Sequence, residues 1–172
     1  MAKMTKHFEH RMELGRLTLA CAVAMLALQA TSLNASTGPD VSGIWIDHTG
    51  QGAVEIGPCT GAPQKLCGHV VWMREPLDKG GRPRKDDRNP DRAKRGQPMC
   101  GTQIIGDLSP GAAGAWDNGW IYNPEDGDRF DVEVRLRARD QLQVLGYMGL
   151  KFLGETFAWK RAPADLARCT RS

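Results

Sequence analysis

Long hydrophobic runs are scarce in this chain of 172 residues. The longest, residues 17–28, holds twelve apolar or small residues, whereas a membrane-spanning helix needs about 20. A helical transmembrane anchor is therefore not expected. Histidine is equally thin: of four in all, only His48 and His69 lie beyond residue 35, the first in a turn-like segment and the second among apolar strand residues. With no Gly-x-Ser-x-Gly elbow, phosphate-binding glycine loop or redox motif, the chain lacks the residue sets of nucleophilic, phosphoryl-transfer and redox catalysis. The sequence predicts no enzyme and no cofactor. Metal is not expected either, because the Cys-x7-Cys spacing of Cys59 and Cys67 does not suit zinc. Asp86, Asp87, Asn89 and Asp91 crowd oxygen ligands together, but their order departs from a calcium loop, and Asn89-Pro90-Asp91 reads as a turn capped by Asp91.

What is present begins with an address. Lys3, Lys6, Arg11 and Arg16 precede the apolar run, and Ala30 or Ala35 supplies a small residue for cleavage, so residues 1–35 read as a secretory signal and residues 36–172 as one domain. That predicts a periplasmic or secreted protein. Removing the signal takes four of 23 Lys/Arg and two of 20 Asp/Glu, leaving a charge of +1. Nothing in so balanced a chain forms the aromatic and basic module of a nucleic-acid binder. In an oxidising compartment the four remaining cysteines pair. Cys59 and Cys67 flank a short turn containing Gly61 and Pro63, which brings them together across a hairpin and leaves Cys100 with Cys169.

Short apolar stretches with turn signals between them fill the rest: residues 44–46, 53–56, 66–73, 101–108, 115–122, 130–136, 142–148 and 152–160. The clearest is 130–136, where Phe130, Val132, Val134 and Leu136 alternate with Asp131, Glu133 and Arg135, as in a strand with one face on a core. Between the third and fourth stretches lies a polar loop, residues 74–99, with four prolines and 14 charges, nine of them basic. Eight regularly spaced antiparallel strands fit an all-β up-and-down barrel, with a two-sheet sandwich as the other arrangement. Only residues 163–168 and 90–95 are candidates for short helices.

Several motifs along the domain are distinctive: Gly43-Ile44-Trp45, Cys67-Gly68, Gly81-Arg82-Pro83, Asp87-Arg88-Asn89-Pro90-Asp91, Pro98-Met99-Cys100-Gly101, the run from Trp116-Asp117-Asn118-Gly119-Trp120 to Pro124-Glu125-Asp126-Gly127, Gly146-Tyr147-Met148-Gly149, and Trp159-Lys160-Arg161. Together they resemble the bacterial exported family called domain of unknown function 2147. Met73, Met99 and the Ala93-Lys94 pair depart from its usual pattern without touching the fold. The resemblance implies an eight-stranded, lipocalin-like barrel in the cell envelope, with no settled activity. It also implies that Gly43-x-Trp45 places the indole at the closed end of the barrel beneath Arg161, a structural pair.

Two functional readings follow. In the first, the barrel binds a small, largely apolar ligand, with the basic loop available to an anionic group. The strand phase puts Phe130, Val132 and Val134 inside; antiparallel neighbours add Val144 and Gly146 on one side and Trp120 with Tyr122 on the other. Trp72 enters just before the loop, which would act as a lid. Glu155 shares a face with Phe157 and Trp159 and would be a buried carboxylate. In the second reading, an envelope protein partner docks on the 74–99 loop of a barrel filled by its own side chains. A homodimer is compatible with either.

Overall fold

The computed structural model describes residues 40–169. The expected secretory signal lies outside the described residues. Eight strands follow one another: β1 Gly43–Ile46, β2 Gly52–Cys59, β3 Ala62–Met73, β4 Gln103–Pro110, β5 Trp116–Asn123, β6 Asp128–Ala138, β7 Gln141–Tyr147 and β8 Glu155–Arg161. Each pairs antiparallel with the next, and β8 returns to β1, giving a closed up-and-down barrel. Closure leaves no strand edge open to another chain. The segments at 90–95 and 163–168 are turns rather than helices. Single bonds such as Lys94 N–H to Asp91 O and Leu166 N–H to Pro163 O close one turn each, too few to offset the cost of nucleating a helix. β8 begins at Glu155 rather than at 152, because Lys151–Leu153 forms a 3-10 turn.

Residues paired across antiparallel strands share a face, so the register fixes what points inward. Leu136, Leu142 and Trp159 form one row, Val134, Val144 and Phe157 the next, and Val132, Gly146 and Glu155 a third. On the opposite wall Trp45 aligns with Val54, and Val54 with Val70. Trp45, Ile105, Leu108, Val132, Val134 and Leu142 are fully buried and belong to one continuous apolar cluster. The middle of the barrel is thus packed with side chains.

One end is sealed by Trp45. Its Nε1–H donates to Val41 O at 2.9 Å, and the Arg161 guanidinium lies 4.1 Å over the ring while donating to Arg139 O and Ser42 O. Gly43 sits at φ 125°, a backbone conformation that favours glycine, and a Cβ there would fall 2.6 Å from Arg161 Nη1 and push the guanidinium aside.

The long connection from β3 to β4 leaves the other end and does not hang free as a lid. Two bridges, Leu77 to Pro83 and Lys85 to Pro98, give it internal order. Arg88 donates to Glu125 O in the β5–β6 turn, and Asp86 is buried against Tyr122. Much of its charge is internally paired, as in Arg82 with Asp78 and Arg84 with Glu75. Two disulfides complete the frame: Cys59–Cys67, with Cα atoms 4.9 Å apart, and Cys100–Cys169, at 6.1 Å. The second ties the C-terminal strap across β2 and β3, where Cys169 N–H meets Val71 O and Arg168 pairs with Glu55.

Candidate ligand-binding site

The register separates the residues that the strand phase groups together. Phe130, Val132, Val134, Val144, Gly146 and Phe157 share the inner face, whereas Trp120 and Tyr122 face outward. Trp120 pairs with Asp131 and Tyr122 with Arg129, both exposed, while Ile121 and Gly119 oppose Phe130 and Val132. The cause is local. The β5–β6 turn pairs Asn123 with Asp128, so Ile121 rather than Tyr122 meets Phe130, while the left-handed Asn118 at φ 58° and the register shift between Trp116 and Gly119 bring Trp116, not Trp120, to the inner face. Glu155 is on the inner face but exposed at the rim, so it is not a buried carboxylate. Trp72 is half-buried opposite Ala53, and Met73 rather than Trp72 packs on the core. Near the rim, Phe157 stacks on His48 of the β1–β2 turn at 4.2 Å. Deeper in, Trp159 Nε1 is buried with no hydrogen-bond partner among the described residues.

Trp120 instead floors a groove on the outer wall of β4, β5 and β6. Its volume is about 510 Å3, and Asp107, Asn118, Arg129, Asp131 and Met148 line it. The indole lies flat against the backbone because its opposite number on β4 is Gly106, where any Cβ would collide with the ring. Trp120 Nε1–H donates to Asp107 Oδ2 at 3.2 Å, and the Arg129 guanidinium sits 4.1 Å over the ring. Hydrogen bonds from Lys65 and Trp120 hold the Asp107 carboxyl below its ordinary range. Asp107, at φ 60°, and Asn118 are left-handed residues inside neighbouring strands, a strain that concentrates where a site is shaped.

The far wall is the β7–β8 connection, fastened by Lys151. Its ammonium bonds both Asp117 and Glu133, while Arg135 holds Glu133 at 2.9 Å and Tyr147 Oη–H donates to Asp117 at 3.2 Å. Burial by itself would raise the Glu133 and Asp117 carboxyls, yet Lys151 together with Arg135 at Glu133, and with Asn118 N–H and Tyr147 at Asp117, outweighs it, and both end below their ordinary values. For Lys151 burial acts downward, but its two carboxylate partners prevail and its pKa rises. The clasp leaves Met148, Leu150, Phe152 and Leu153 exposed on the turn. A second, smaller cleft of about 260 Å3 lies beneath the C-terminal strap, between Glu55, His69 and Arg168.

The family model described as an uncharacterized protein conserved in bacteria, domain of unknown function 2147, matches residues 43–161. The chain belongs to this family. No curated protein is recognisably similar to it. Among solved structures, a protein from the human pathogen Helicobacter pylori, described as belonging to the lipocalin family, is similar in fold. It is 22% identical, with a TM-score of 0.59, over 73% of this chain and 85% of that one. This domain of unknown function 2147 member is therefore a lipocalin-like barrel. Among the described residues no helix is long and apolar enough to cross a membrane.

Four residues of this family member escape the sequence reading. Asp86 looks like one more loop charge, yet it is buried; only the arrival of Tyr122 from another strand explains it. Lys151 looks like a solvated turn residue. Asp107 and Arg129 carry no motif, and what unites them is the outward indole of Trp120. The sole available signal was Asn118-Gly119, a pair suited to positive φ and hence to a bulge.

Proposed function

We propose that this protein binds a small, largely apolar ligand outside the cytoplasm and does not convert it chemically. The groove beside Trp120 carries this reading: about 510 Å3 falls in the range of small-molecule sites, and Trp120 and Met148 offer apolar surface within a rim of polar side chains. The packed barrel centre favours the outer groove over a central cavity. Two disulfides fit an oxidising compartment. The test is titration with apolar ligands, read by tryptophan fluorescence and thermal shift. Saturable quenching that Trp120→Ala removes while the fold survives supports the groove. No quenching and no thermal shift with any ligand overturns it, and leaves a partner protein docking on the 74–99 loop as the better account.

One observation favours a second location. Trp159 Nε1 is a buried donor on the inner face without a partner among the described residues, and a ligand acceptor inside the barrel would satisfy it. Binding lost in Trp159→Phe but retained in Trp120→Ala would move the ligand inside.

A further inference from the structure

We infer that the groove beside Trp120 receives the positively charged head of an amphiphile, an alkylammonium-type ligand whose tail lies along the apolar turn at 148–153. This rests on the ligand-binding reading and adds the sign of the ligand's charge.

The indole face of Trp120 already holds a cation, since the Arg129 guanidinium stacks on it at 4.1 Å. An aromatic face is electronegative, so it selects positive charge whether a side chain or a ligand supplies it. Arg129 is itself exposed on β6 and swings on four side-chain torsions, so it can leave the ring to a competitor. Once it does, the charged groups left lining the groove are Asp107 and Asp131. An anionic head would face two carboxylates there. The other cations nearby are already paired, Lys65 with Asp107 at 3.2 Å and Lys151 with Asp117 and Glu133, and neither can receive an anion without giving up a carboxylate.

The tail has a matching surface. Met148 lines the groove and also begins the exposed turn, where it is 72% exposed and Phe152 80%. Apolar side chains so exposed on a turn that an ionic clasp fastens gain nothing from the fold, but a hydrocarbon chain leaving the groove would cover them. Polar head site and apolar track are thus continuous at Met148.

The test uses the folded mature protein and three probes sharing one ten-carbon tail, each below its micelle concentration: decyltrimethylammonium, decanoate and decyl maltoside. Calorimetry should show the ammonium probe binding at least about tenfold tighter than decanoate. Arg129→Ala, by vacating the ring, should tighten ammonium binding several-fold. Asp107→Asn with Asp131→Asn should erase the preference, and asparagine tolerates the positive φ at 107, so the double variant keeps its backbone. Equal or tighter binding of decanoate, or weaker ammonium binding in Arg129→Ala, overturns the inference. If decyl maltoside binds as well as the ammonium probe, the charge assignment fails and the binding reading stands; if none of the three binds, the binding reading fails as well.

Discussion

Tyr122 Oη donates a 2.7 Å hydrogen bond to Asp86 Oδ1, and both residues are buried although 36 positions separate them. Asn89 Nδ2 donates to the other carboxylate oxygen at 2.6 Å. Burial, and then the neighbouring Asp86, push the Tyr122 hydroxyl pKa up, so it stays a donor across the physiological range. The bond pins the long loop to the outer face of β5 and turns a charge-rich segment into part of the fold.

Tyr122→Phe should therefore free the loop more than it harms the barrel. Losing a partner of a buried carboxylate costs about 1–3 kcal/mol. Limited trypsin digestion should cut the variant within 74–99 well before the wild type, because basic residues are dense there. Identical cleavage rates would show that the loop is held by other contacts.

Trp45→Ala should be among the most damaging single changes. A fully buried indole capping the barrel leaves a cavity worth about 3–5 kcal/mol, a large share of a small domain's stability. Gly43→Ala should be harmful too, since φ is positive and Arg161 occupies the Cβ space. Urea midpoints measure both, and an unchanged midpoint in Trp45→Ala would contradict closure of the barrel end by Trp45.

The Lys151 clasp sets a pH window. Asp117 and Glu133 have lowered folded pKa values, so their contribution is full above the unfolded values of 3.8 and 4.5 and fades as pH falls through the folded ones. Lys151 is raised, so its contribution is full below 10.5 and fades as pH rises through its folded value. Lys151→Met should cost about 1 kcal/mol at neutral pH, because water screens the half-exposed ammonium. The stabilities of wild type and variant should converge only as pH falls through the lowered pKa values of Asp117 and Glu133; a difference that stays constant with pH would show that the carboxylates gain nothing from Lys151.

The two disulfides should differ in weight. By chain entropy, closing a loop of sequence separation 69 is worth about 4 kcal/mol and one of separation 8 about 2.5 kcal/mol. The paired serine variant of Cys100 and Cys169 should melt lower than that of Cys59 and Cys67, and should also loosen the strap over the smaller cleft. The reverse order in calorimetry would point to native-state effects that chain entropy omits.

Local pattern alone determined the all-β class and the order of the strands, while closure into a barrel rather than a two-sheet sandwich is a tertiary fact. The two-residue alternation at Phe130 to Leu136, the turn signals between apolar stretches and the Cys59–Cys67 hairpin all act over a few residues, so each was legible in order along the chain, whereas the role of Gly43-x-Trp45 followed only from the family resemblance. The placement of Trp120 and Tyr122 was not legible. The β5–β6 turn pairs Ile121 with Phe130, and because side chains alternate with period two, a register differing by one residue would bring Trp120 and Tyr122 to the inner face instead of the outer wall. The same limit hid Asp86 and Lys151, whose partners arrive from 36 positions away and from 34 and 18 positions away. Whether a charged residue is solvated or clasped depends on what another strand brings beside it, and only the closed barrel decides that.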